Sequence, residues 1–136
     1  FMFSIMLASQ LSQKIVGESV RNIQAYFLLE EGVEAVKILR DTGWSSGIGN
    51  QAAGADYYFA YNGITWTSTA SNVYIDGIFE RKFNLNNVYR DANDDIADSG
   101  TLDSGTKKAT ISISWRGRTG TTTKIASFYL TDLFSN

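Results

Sequence analysis

The sequence predicts an α+β domain in which one long N-terminal helix packs on an antiparallel β-sheet, and three observations carry that expectation. Apolar residues recur at helical spacing up to about residue 41, the pattern becomes strict alternation after about residue 55, and turn signals separate the alternating runs at short intervals. The 136 residues suit one domain with one core. Residues 1–42 are expected to form the helix and 43–136 the sheet, both parts of that domain.

The helix is predicted over 3–41. From Phe1 to Asp41 there is no proline, and the glycines are Gly17 and Gly32. Within "YFLLEEGVEAVKILRD", Leu28, Gly32, Ala35 and Leu39 form one row, with Leu29, Val33 and Val36 beside it. A continuous helix of this length spans about 60 Å at ~1.5 Å per residue, longer than the following domain is wide, so part of it protrudes or is covered by other chains. Lys14, Glu18, Arg21, Asn22 and Gln24 make its middle polar on at least one side. Each glycine costs a helix interior roughly 1 kcal/mol against alanine, so each needs a reason. Close helix approach or a melted turn would serve at Gly17, and close packing on the sheet at Gly32. The glycines of "DTGWSSGIGN" end the helix.

The opening "FMFSIMLASQ" is far more apolar than a terminus in water tolerates. Phe1, Phe3, Ile5, Met6, Leu7 and Leu11 have no evident partner within the chain, which makes them candidate assembly residues, covered by a bilayer or by neighbouring helices. The apolar run "FMFSIMLA" is well short of the ~20 residues that span a bilayer.

Beyond residue 55 the strands follow. "YYFAY" and "ITWTS" flank Asn62-Gly63, a signal for a type I′ hairpin, in which both central residues have positive φ. In "GIFERKFNL", Phe79, Arg81 and Phe83 alternate with Ile78, Glu80 and Lys82. "KKATISISW" places Ala109, Ile111, Ile113 and Trp115 on one face and Thr110, Ser112 and Ser114 on the other. "RGRTGT" turns this strand into "TKIASFYL", where Ile125, Ser127 and Tyr129 alternate with Ala126, Phe128 and Leu130. About five strands are predicted, with one face on a core and one on solvent, and the helix supplies the second layer.

Composition excludes much chemistry. Without cysteine there is no disulfide, thiolate metal site or thiol nucleophile, and without histidine there is no Ser-His-Asp triad. The net charge of −2 gives the whole molecule no electrostatic footprint for nucleic acid. No catalytic residue and no small-molecule substrate are assigned. Asp91 and Asp95 supply the two acids a glycosidase needs, but their spacing does not select that chemistry.

Three groups remain as candidate binding features. In "DANDDIADSGTLD", Asp91, Asn93 and Asp95 match the first three oxygen positions of a calcium loop. Ile96 stands where that loop turns on glycine and Leu102 where it uses glutamate, so the run is not an EF-hand. Asp98 and Asp103 would complete a different oxygen cage; a hydrated turn with Asx hydrogen bonds is the other reading. Lys107, Lys108, Arg116, Arg118 and Lys124 come together if the last two strands pair, as a patch for DNA or an acidic partner, or as edge charges that deter aggregation. Trp44, Tyr57, Tyr58, Tyr61 and Trp66 suit either a sugar platform or cross-strand core pairs.

The succession "LLEEGVEAVKILRDTGW", "YYFAYNGITW" and "VYRDANDDIADSGTLDSGTKKATISISW" resembles minor pilins and pseudopilins of the type IV pilus and type II secretion superfamily. That family carries a leader, a membrane-spanning half-helix with glutamate at the fifth mature position, and a second half-helix packed on a β-sheet. Position 5 here is Ile5, so the resemblance implies that Phe1 lies inside a membrane helix that starts upstream. It also implies a structural subunit, held in the inner membrane before assembly and then built into an extracellular filament with other copies or other pilin subunits. Some of these relatives hold calcium in a sheet-side loop. Glu30, Glu31, Glu34, Lys37 and Arg40 would set register between subunits through charge pairs. The alternative is an extracellular adhesive or carbohydrate-binding β-domain with an incidental helix.

Overall fold

The computed structural model describes the backbone of residues 2–132 and the side chains of residues 17–132. Helix α1 runs Met2–Thr42 and is followed by a short π-helical turn, Trp44–Ile48. Seven strands follow: β1 (Tyr57–Tyr61), β2 (Trp66–Thr69), β3 (Tyr74–Ile75), β4 (Phe79–Arg90), β5 (Ile96–Ala97), β6 (Thr101–Gly117) and β7 (Gly120–Thr131). They form one antiparallel sheet in the order β2-β1-β4-β6-β7, with β3 and β5 paired to the two ends of β4. The α+β prediction of a long helix on an antiparallel sheet is what the chain adopts.

The core lies between α1 and one face of the sheet. From the helix come Ala25, Leu29, Ala35, Val36 and Leu39; from the sheet Phe59, Phe79, Phe83, Leu85, Ala109, Ile111, Ile113, Trp115 and Leu130. Burial alternates along β4 and β6 as a one-sided sheet requires, and each fully buried aliphatic or aromatic side chain contributes roughly 1.5–3 kcal/mol. Gly32 is explained by the layer spacing. A Cβ there would lie 3.2 Å from Ile111 Cγ2 and 3.3 Å from Arg81 Cδ, so the missing side chain lets the helix sit close. No such contact exists at Gly17, where no atom of the described residues lies within 4 Å of a Cβ position.

Two turns differ from expectation. β1 and β2 do form a hairpin, but Tyr61 pairs with Trp66, leaving the four-residue loop 62–65. Only Gly63 has positive φ there, because the Asn62 carboxamide Oδ1 accepts the N–H groups of Ile64 and Thr65 at 2.9 Å each and shapes the loop by itself. The two successive positive φ values occur instead at Asp76 and Gly77, where Ile78 N–H donates to Ile75 carbonyl. The other departure is in β6, which begins at Thr101 rather than at the lysines. Register jumps between Asn87↔Lys107 and Val88↔Asp103, so 104–106 bulge out of the ladder.

Candidate functional site

α1 carries two apolar stripes. The inner one, Ala25, Leu29, Gly32, Val36 and Leu39, follows the alternating 3- and 4-residue steps of a helix seam and is consumed by the core. The outer one is Val20, Ile23 and Phe27, exposed by 44, 56 and 67 %. Tyr26 and Ile38 are also exposed. The sequence reading makes this part of the helix polar through Glu18, Arg21, Asn22 and Gln24, and misses the outer row. The signal was the i, i+3, i+7 spacing of positions 20, 23 and 27, which a second amphipathic face produces as readily as the first. Phe1 lies outside the described residues, and so do the side chains of Phe3, Ile5, Met6, Leu7 and Leu11; the helix backbone passes through positions 3–11. Among the described residues no helix is long and apolar enough to cross a membrane.

A buried guanidinium locks this helix to the sheet. Arg81 stands between Phe79 and Phe83 on the core face of β4, as the alternation places it, and is almost entirely buried. Its Nη1 donates to Leu28 carbonyl at 2.9 Å and to Glu31 Oε1 at 2.8 Å, and the group lies over the rings of Phe59 and Trp66. Glu31 is therefore spent within the chain. Glu34 pairs with Lys37 and Arg40 with Asp41, so three of the five charges expected to work between subunits have partners on α1 itself, and Glu30 is the exposed remainder.

The acidic loop is held together by its own hydrogen bonds. Asp91 Oδ1 accepts from the backbone N–H groups of Asn93 and Asp95 at 2.8 and 3.1 Å, and Asp91 N–H donates to Asp95 carbonyl. Asp94 has positive φ at the apex. Asp103 lies on β6 at the bulge and fastens it: Oδ1 accepts from Gly105 N–H, and Oδ2 accepts from Arg90 Nε at 2.9 Å and from Thr106 Oγ1 at 2.8 Å. The Arg90 guanidinium, then the Thr106 hydroxyl, hold the Asp103 carboxyl below the usual carboxylate range, and Asp103 in turn raises Arg90. Asp98 is exposed beside β5. Among the described residues no three carboxylates converge on a point where a metal ion would sit. The donor set that faces outward is thus Asn93, Asp95 and Asp98, with Asp91 and Asp103 already accepting.

The other two groups are divided by the sheet. Lys107 and Lys108 pair with Leu130 and Tyr129, whereas Arg116 pairs with Thr121, so the expected single basic patch is split between the middle of β6 and its C-terminal end. Lys124 belongs to neither group; it faces the helix, with Nζ 5.7 Å from the Tyr26 ring. Of the aromatic set, Tyr57 packs on Phe83 and Tyr61 and Phe59 on Trp66 as cross-strand and core pairs. Trp44 stands apart, donating from Nε1 to Ser104 carbonyl, and Tyr58 is on the opposite face of β1 from Tyr57 and Phe59. These rings do not make one platform.

Comparisons with protein-family models, with curated proteins and with solved structures found no match to this chain.

Proposed function

We propose that the chain is a structural subunit of an extracellular filament of the type IV pilus or type II secretion pseudopilus kind, assembled through α1. The observation that carries this reading is the second apolar stripe: Val20, Ile23 and Phe27 stay exposed on a helix whose sheet-facing side is already packed. A helix of this design has one face for its own sheet and one for a neighbour, and the apolar residues of positions 1–11 continue in the direction in which it leaves the sheet. In this reading the subunit is held in a membrane before assembly, its partners in the filament are other copies or related subunits, and the drive is apolar burial at ~25 cal/mol per Å². It carries out no catalytic step, and the sheet sets the outer surface.

Sedimentation and electron microscopy of the full chain test the proposal. The full chain is expected to need detergent, a membrane or other copies; removal of residues 1–10 should release a monodisperse domain with an unchanged sheet. A full chain that remains monomeric at high concentration in plain buffer overturns it.

A further inference from the structure

Where α1 leaves the sheet, a cleft of about 300 Å³ opens between the helix and the β6–β7 turn, lined by Gly17, Glu18, Arg21, Trp115, Arg116 and Arg118 among others. Its charge is lopsided. None of the three arginines has an ion pair among the described residues, and Glu18 is the one acid on the lining. Cations elsewhere on the fold are spent within the chain: Arg81 on Glu31, Lys82 on Asp56, Arg90 on Asp103, Lys37 on Glu34 and Arg40 on Asp41. The chain as a whole carries a net charge of −2, so this end is basic against the sign of the molecule.

Local geometry brings the three guanidiniums to one opening. Side chains of a helix lean toward its N-terminus, which carries Arg21 back over the turn of Gly17 and Glu18. Arg116 and Arg118 are exposed on either side of Gly117, where β6 ends. Buried Trp115 closes the floor, and Gly17, with no described atom within 4 Å of a Cβ position, leaves the mouth open. The cleft also has a fixed place along the helix. Leu11, the last of the apolar assembly residues, precedes Gly17 by about 9 Å at ~1.5 Å per residue. The headgroup layer on each side of a bilayer is roughly 5–8 Å deep. A membrane that takes up positions 1–11 therefore brings its phosphates to the mouth of the cleft, within reach of an arginine side chain.

We propose that, while α1 is held in a membrane, the cleft seats the headgroups of anionic phospholipids, with Arg21, Arg116 and Arg118 on the phosphates. The guanidinium fork matches phosphate oxygens bidentately, and an anionic leaflet attracts basic groups placed next to a membrane segment. The inference rests on the membrane-held state of the filament reading and adds to it the class of lipid and an orientation, with the sheet standing on the surface by its β6–β7 end. An acidic protein would meet the same charges, and the place of the cleft beside the apolar run favours the bilayer.

The test dilutes the full-length chain from detergent into vesicles of phosphatidylcholine alone, or of an equal mixture with phosphatidylglycerol, and reads association by flotation. Binding to the mixed vesicles is expected to be about tenfold tighter or more, and the preference should fade with added salt. Arg116→Glu with Arg118→Glu should abolish the preference without lowering the melting temperature, whereas Arg116→Lys with Arg118→Lys should keep most of it. Because the chain has no cysteine, a fluorophore on Thr119→Cys reports the orientation. It should be quenched by a nitroxide on the lipid headgroups, whereas one on Ser99→Cys, about 50 Å away along the 17-residue strand β6 at ~3.3 Å per residue, should not. Equal association with both kinds of vesicle overturns the inference, leaves the filament reading standing and assigns the arginines to an acidic protein partner. A preference that survives the two glutamates places the attraction outside the cleft and overturns it. A preference removed by millimolar inorganic phosphate at constant ionic strength makes the cleft a site for free phosphate and overturns it too. Association with neither kind of vesicle overturns the membrane-held state as well.

Discussion

The two stripes of α1 share one backbone and differ in what they meet. On the inner stripe Leu29, Val36 and Leu39 fill the core beside the small Ala25 and Gly32, and where the helix comes closest, at Gly32, the space is taken by Ile111, Arg81 and Phe59 from the sheet. On the outer stripe Val20, Ile23 and Phe27 are large and remain exposed. Both stripes carry large apolar side chains, so what separates them is whether the sheet layer meets them, not their hydrophobicity. Apolar residues of similar hydrophobicity therefore divide into those that hold the fold and those free to hold a partner.

The sharpest test of that division replaces one phenylalanine on each side. Phe83→Ala removes a fully buried ring stacked 4.4 Å from Phe59, and is expected to cost about 3–5 kcal/mol of unfolding free energy. Phe27→Ala, at 67 % exposure, should stay within about 0.5 kcal/mol in the monomeric domain lacking residues 1–10, while weakening assembly of the full chain. Equal effects on denaturant unfolding would erase the distinction.

The glycines give the next largest contrast. Gly32→Val puts a branched side chain where Ile111 and Arg81 already stand at 3.2 and 3.3 Å, and should cost about 1–3 kcal/mol. Gly17→Ala meets open space and should stabilise α1 by up to about 1 kcal/mol. Thermal melts of the two variants should move in opposite directions. If Gly32→Val proves neutral, the helix is not held as close to the sheet as these distances require.

What could be read in the chain beforehand follows from period. The helix, the inward faces of β4 and β6 and the position of Arg81 among phenylalanines are set by spacings of 3.6 and 2, which survive in any register. Features that depend on register do not. Whether Lys107 and Arg116 form one patch depends on where they fall along a single long strand, and the bulge at 104–106 depends on Asp103 finding Arg90 across the sheet. Turn type failed for a related reason: Asn62-Gly63 and Asp76-Gly77 are equivalent as dipeptides, and only the side-chain cap of Asn62 onto residues 64 and 65 separates them. The outer stripe is written in the i, i+3, i+7 spacing of positions 20, 23 and 27, and the polar residues interleaved with it mask that period.

At the acidic end, pH probes the bulge. Asp103 titrates below its unfolded range because Arg90 and Thr106 donate to its charged form. A carboxyl lowered by folding contributes stability that is fully present above its unfolded pKa of about 3.9 and is lost as pH falls through the folded value. The melting temperature of the native chain should therefore exceed that of Asp103→Asn at neutral pH, and the gap should narrow as the pH drops below about 4. The effect should be smaller than that of either core change, because the pair is partly solvated. A gap independent of pH would mean that Asp103 acts through its geometry and not its charge.

The smallest expected effect separates the two readings of the 91–98 loop. A cation held by Asp91, Asn93, Asp95 and a later acid such as Asp98 or Asp103 would bind the folded state alone and stabilise it by RT ln(1 + [L]/Kd), about 2.7 kcal/mol at a hundredfold excess over Kd. That is a rise of several degrees, reversed by chelator and abolished by Asp95→Ala. Against it, Asp91 Oδ1 already accepts two backbone N–H groups, and both oxygens of Asp103 accept donors from Arg90, Thr106 and Gly105. To ligate, Asp103 would have to give up bonds that pin the bulge, and the remaining oxygens, Asp91 Oδ2 and those of Asn93, Asp95 and Asp98, do not converge on one point among the described residues and so fall short of the six to eight that calcium takes. The expected outcome is accordingly a melting curve unmoved by millimolar calcium or chelator. Asp91→Ala should lower it in both conditions by removing the acceptor that closes the Asx turn. A calcium-dependent rise lost in Asp95→Ala would reverse this reading and make the acidic end of the sheet a cation site.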